Sequence, residues 1–206
     1  MKKNLSALLI GLVSLSAVAK TIETKQIQVL LNPNASWNIY AANIGTEITS
    51  DPSVALPAGA TSIQNGLIFP KDTVNLNQTS YLVSRTGMPL TTLNSIGMLN
   101  TTNSALVAYN PMNPPALGTI FQLSENVFSF YNNCSTSGQI FATGTTELVN
   151  NMAPGAINTI SNMAVIGGTG HNESANGVVA IQRHLAPDGM SSILTVKFDK
   201  KIKINV

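Results

Sequence analysis

Charge is scarce in this chain. Asp, Glu, Lys and Arg make up 10% of the residues, and Lys plus Arg lead Asp plus Glu by 11 to 9. That balance gives no basic field for nucleic acid and no acidic field for cations. Cysteine occurs once, at Cys134, so no intrachain disulfide can form and the fold must hold by its core. Cys134 lies in the turn-like Asn132-Asn133-Cys134-Ser135-Thr136, with no His or Arg nearby in sequence to lower its pKa, and reads as a passive thiol. The two histidines, His171 and His184, have no cysteine partners, so no metal site is expected. After the first residues, no apolar run approaches the roughly 20 residues of a membrane-spanning helix. No nucleophile elbow marks a Ser-His-Asp hydrolase.

The first nineteen residues have the pattern of an export signal. Lys2 and Lys3 give the positive start, Leu5 to Val18 the apolar centre, and Ala17-Val18-Ala19 a small-x-small cleavage site. The pattern reads as bacterial, with Lys20 as the mature start and a periplasmic or secreted destination. Loss of Lys2 and Lys3 leaves the mature chain formally neutral, so its solubility must come from abundant Asn, Thr and Ser.

Strand signals dominate the rest. Ile27, Val29 and Leu31 alternate with polar residues, as do Trp37, Ile39 and Ala41. Asp51 to Ala60, with Pro52, Pro57 and Gly59, reads as a loop. It divides an N-terminal extension with extra strands, 20–60, from a main body, 61–206. Further strands are expected at Gly66–Phe69, Tyr81–Arg85, Ala105–Tyr109, Thr119–Leu123, Val127–Tyr131, Gln139–Val149 and Val178–Leu185. Thr86 to Pro115 otherwise reads as a long rim loop. Pro187-Asp188-Gly189 is a turn, and the last strand puts Leu194, Val196, Phe198, Ile202 and Ile204 on one face against Lys197, Lys201 and Lys203 on the other. No stretch has convincing helical periodicity. Many short strands with glycine corners predict an all-β fold: a single antiparallel closed barrel, which leaves no exposed edge.

Ala164 to Ile181 is the most informative stretch. Val165 and Ile166 enter a glycine cluster, and Val178, Val179 and Ile181 leave it. Gly167, Gly168, Gly170 and Gly177 suit a bulged turn at a barrel rim, because glycine reaches positive φ without steric cost. The cluster has neither the helix N-terminus nor the lysine of a phosphate loop.

Gly167-Gly168-Thr169-Gly170 followed by Ala175-x-Gly177 resembles the hallmark turn of the dirigent and allene oxide cyclase barrel superfamily. Ser137-Gly138-Gln139-Ile140-x-Ala142-x-Gly144 is similar to the strand before that turn in bacterial relatives. Tyr81 to Gly87 is a weaker echo of an earlier strand, and Thr195 to Phe198 sits where a closing strand would be. The resemblance implies an eight-stranded antiparallel barrel, often trimeric, with an apolar cavity and no metal or organic cofactor. In plant members such a cavity steers radical coupling or cyclises an epoxide. Here the turn carries Glu173 and Asn176 where dirigent proteins keep an arginine, and no acidic residue follows an aromatic-rich first strand.

Candidate binding residues are few. Arg183 shares a face with Val179, Ile181 and Leu185, where a guanidinium needs a carboxylate such as Glu147 or Glu125. Arg85 has the same ambiguity, and Tyr131 can offer a hydroxyl to a cavity. His184 falls on the face opposite Val179 and Ile181 and should point outward. These residues favour an exported barrel that binds a small apolar molecule without turnover. The alternatives are a cofactor-free dirigent- or cyclase-type guide of stereochemistry and a surface interaction protein.

Overall fold

The computed structural model describes residues 20–31, 37–42, 45–49, 61–105, 120–132, 135–148, 155, 157 and 160–205, some of them by backbone alone. The expected signal segment lies outside the described residues. Ten strands follow in chain order: β1 (Thr21–Leu31), β2 (Trp37–Ala42), β3 (Gly45–Thr49), β4 (Thr61–Pro70), β5 (Gly97–Ala105), β6 (Ile120–Asn132), β7 (Ser135–Leu148), β8 (Ser161–Gly170), β9 (Gly177–Leu185) and β10 (Ser192–Asn205). No helix among the described residues is long and apolar enough to cross a membrane.

Eight strands close an antiparallel barrel in the order β1-β10-β9-β8-β7-β6-β5-β4, and β4 pairs back onto β1. β2 and β3 form a hairpin that, among the described residues, joins β4 alone, through Trp37 opposite Ile63 and Ile39 opposite Thr61. The boundary expected after residue 60 is therefore corrected. β1 is a stave of the barrel, with Val29 facing Leu194 on one side and Ile68 on the other. From Ile27 to Leu31 both edges of this strand are used, so its backbone donors and acceptors there are met without solvent.

Alternation explains the wall. On β10, Leu194, Val196, Phe198, Ile202 and Ile204 are buried, while Lys197, Lys201 and Lys203 are exposed. Inside the barrel, Ile27, Ile68, Leu99, Phe128, Phe130 and Ile140 are fully buried around these residues. Phe128 meets Phe198 edge to face, with ring centroids 5.5 Å apart. Each such buried side chain contributes about 1.5–3 kcal/mol.

A second core lies on the outside of the wall. Leu30, Phe69 and Ile193 point outward and are covered by Val74, Tyr81, Leu90 and Ala186. The strap 71–96 holds itself down by hydrogen bonds. Gln28 Nε2 donates to the Val74 carbonyl at 2.9 Å, and the Val74 N–H donates back to Gln28 Oε1 at 2.8 Å. The Asp188 N–H donates to the Thr79 carbonyl at 3.0 Å.

Three strand expectations change. Tyr81–Arg85 is turn, with one isolated bridge from Val83 to Pro89. Its backbone is held by Ser84 Oγ, which accepts from the Thr86 and Met88 N–H groups. The strand expected at Ala105–Tyr109 begins earlier, as β5, and 106–109 lies outside the described residues. The strands expected at Thr119–Leu123 and Val127–Tyr131 are, from Ile120 on, one continuous strand, β6, because Ser124, Glu125 and Asn126 pair with β5 and β7 without a break, and Thr119 lies outside the described residues.

The glycine stretch forms a rim turn. β8 ends at Gly170, residues 171–176 turn, and β9 starts at Gly177. A register shift sets Phe141 opposite Gly167 and Ala142 opposite Val165, so Ile166 is the extra residue of a bulge. Gly170 has φ +58° and Gly177 φ +117°, both costly for a side chain.

Candidate binding site in the barrel lumen

An eight-stranded barrel is just wide enough for side chains to fill it or for one small ligand to enter. Here the two halves of the lumen differ. The half nearest the 171–176 turn is filled by Phe128, Phe130, Ile140, Phe198 and Ile204. The other half, toward the start of β6 and the end of β9, opens as a cavity of about 90 Å³.

The cavity wall is built by strand parity. On β5, Thr101 and Asn103 continue the inward face of Leu99, and on β6, Gln122, Ser124 and Asn126 continue that of Phe128. Register sets Thr101 opposite Asn126 and Asn103 opposite Ser124. The pairs are bonded: Thr101 Oγ1 donates to Asn126 Oδ1 at 2.7 Å, and Ser124 Oγ donates to Asn103 Oδ1. Ser124 Oγ also lies 2.9 Å from Thr146 Oγ1 on β7. Asn126 Nδ2 donates to Met163 Sδ on β8 at 2.9 Å. Gly144 makes room for that contact, because a Cβ there would lie 3.0 Å from the Met163 Cα. Pairing keeps these buried polar groups satisfied and fixed in orientation.

Arg183 enters from the opposite wall. It sits on β9 across from Leu194 and lines the cavity with Leu31, Met163, Ile181 and Leu194. Burial lowers its pKa, though a guanidinium remains charged at neutral pH. Among the described residues no carboxylate lines the cavity, and no hydrogen bond or ion pair reaches the Arg183 guanidinium.

The other candidates lie elsewhere. Arg85 is exposed on the strap, where its N–H donates to the Thr73 carbonyl at 3.2 Å. Tyr131 is half-buried near the end of β6, its hydroxyl 3.1 Å from Ser95 Oγ. Glu147 pairs with Phe121 in β7, and its side chain is outside the described ones. Glu125 is exposed on the outer wall. Of the named binding candidates whose side chains are described, Arg183 alone lines the cavity. The residues that sequence reading missed are Thr101, Asn103, Ser124 and Asn126. The available signal was parity with Leu99 and Phe128.

His184 does point away from the lumen, but it is buried rather than solvated. Its backbone bridges to Ile157, its Nε2 has no hydrogen-bond partner, and burial lowers its pKa. A second cavity of about 230 Å³ lies at the far rim, between the 171–176 turn and Asp199–Lys203. Gly167, Gly168, Gly170 and Gly177 frame that rim, away from Arg183.

No family model and no curated protein matches the chain. Solved structures similar to it include two pterocarpan synthase dirigent proteins. GePTS1 has 12% identity, covers 99% of this chain and 96% of its own, and gives a TM-score of 0.47. PsPTS1 has 12% identity, covers 90% and 95%, and gives 0.48. Pyocyanin demethylase has 15% identity, covers 86% and 98%, and gives 0.42. The barrel described above rests on its own strand pairing, and it is the architecture implied by the resemblance of the Gly-Gly-Thr-Gly turn.

Proposed function

We propose that this chain is an exported barrel that binds a small molecule in the open half of its lumen and does not turn it over. The observation that carries the reading is the division of the lumen. One half is packed by apolar side chains, while the other holds a cavity whose polar lining is paired in advance. Such a site combines apolar surface with a few fixed polar groups, which is what a small-molecule pocket needs. General acid–base chemistry requires a group that titrates near the working pH. Among the described residues lining the cavity, Arg183 is the one ionisable side chain, and it holds its proton throughout that range.

Filling the cavity tests the reading. Ser161 lies at the start of β8 on the cavity wall and is half-buried, so a larger side chain there enters the opening without recutting the packed core. Small organic probes should bind the full chain with a stoichiometry of one, read by calorimetry, and Ser161→Phe should abolish that binding while leaving the fold intact by circular dichroism. Undiminished binding to Ser161→Phe would remove the lumen from the account. Enantiomeric excess in a radical-coupling reaction, lost in the same variant, would replace simple binding with stereochemical guidance.

A further inference from the structure

We infer that the lumen ligand is a small monocarboxylate gripped by Arg183, an assignment that rests on reading the cavity as a binding site. The case begins with an uncompensated charge. Arg183 is half-buried, and a guanidinium drawn even partly from bulk water without an opposite charge is costly to keep. Among the described residues, the inward-facing neighbours of Arg183 are Ile181 and Leu185 on its own strand and Leu194 across the ladder, none of which can accept a hydrogen bond from it through a side chain. The carboxylates of other described residues are committed or exposed away from the lumen. Glu23 pairs with Lys201, Asp72 with Lys71, and Asp188 caps the Met190 and Ser191 N–H groups.

The facing wall adds the right polarity. Sulfur in Met163 carries no proton, so the Asn126 amide must turn its nitrogen toward it and its oxygen toward Thr101. The Asn103 oxygen likewise accepts from Ser124. With these oxygens engaged by hydroxyls, the amides present N–H groups to an occupant. A fixed cation opposite amide donors is a site for an anion.

Charge and size narrow the class. One guanidinium with no lysine beside it balances one negative charge, whereas a phosphate dianion would leave a second charge unmet. The planar fork of arginine matches the two oxygens of a carboxylate. The cavity of about 90 Å³ takes a carboxylate and the start of its stem, and a longer stem extends toward the opening. Ile181, Leu194 and Met163 offer the stem an apolar flank.

The test uses calorimetry and thermal unfolding of the full chain with sodium benzoate, sodium butyrate, benzamide, butyramide and inorganic phosphate. Each carboxylate should bind at least tenfold tighter than its amide, and phosphate should bind more weakly than benzoate. Arg183→Gln should lose at least tenfold in benzoate affinity, and Arg183→Lys should lose less. Arg183→Met should unfold at a higher temperature than wild type, because an unpaired charge is gone, and benzoate should no longer raise that temperature. Equal affinity for acid and amide overturns the carboxylate assignment alone, as does wild-type affinity in a folded Arg183→Gln or preference for phosphate. If neither acids nor amides bind, the reading of the lumen as a binding site falls with it.

Discussion

Arg183 and His184 are consecutive, and strand alternation sends them to opposite sides of one wall. Their side chains meet opposite fates: Arg183 faces a cavity, and His184 is buried on the outer face. The sequence shows which side each takes, because alternation with Val179 and Ile181 is clear. It does not show that the outer side is buried at His184, whose backbone bridges to Ile157, distant in sequence. Burial has a measurable consequence. The pKa of His184 is lowered below its ordinary 6.5 in the folded chain. Between the two values the unfolded chain binds more protons, so stability rises with pH there. Stability should be full above about pH 6.5 and decline as pH falls below it. The urea midpoint of His184→Gln should therefore change less between pH 7 and pH 5 than that of wild type. Equal slopes for the two proteins would show that His184 titrates freely in the fold.

At the scale of elements, regular alternation was readable and irregular backbone was not. β10 and β9 appear in the sequence with their faces assigned, because apolar and charged residues take turns along them. The strap 71–96 does not, because side chain–backbone bonds hold it: Ser84 serves two N–H groups and Gln28 reaches across to Val74. Tyr81 to Arg85 has strand-forming residues but no ladder partner, so composition there misleads. The rim turn was readable, since glycine is required where φ is positive. Gly177 adds a spatial requirement, for a Cβ at that position would collide with the Asp199 carboxylate on β10. Gly177→Val should destabilise by about 1–3 kcal/mol through backbone strain, with Asp199 displaced as well. Chemical denaturation measures this directly, and a midpoint equal to wild type would mean that the turn relaxes without loss.

For the molecule as a whole, the sequence makes a closed barrel legible but not the contents of its lumen. Asn103, Ser124 and Asn126 look like solvent-facing residues by type, yet parity with Leu99 and Phe128 turns them inward. A polar residue inside a barrel is exceptional enough that type outweighs parity when the sequence stands alone. β1 was likewise set apart from the barrel, because closure by pairing with both β10 and β4 joins segments far apart in the chain. The account now depends on which part of the lumen an occupant meets. The most direct measurement is a titration of isotope-labelled full-length chain with sodium benzoate, followed by backbone and side-chain amide resonances. Shifts should gather at Asn103, Ser124, Asn126 and Arg183 and saturate together, while the 171–176 turn stays unmoved. Shifts confined to the 171–176 rim, or none at Arg183 at saturation, would contradict it.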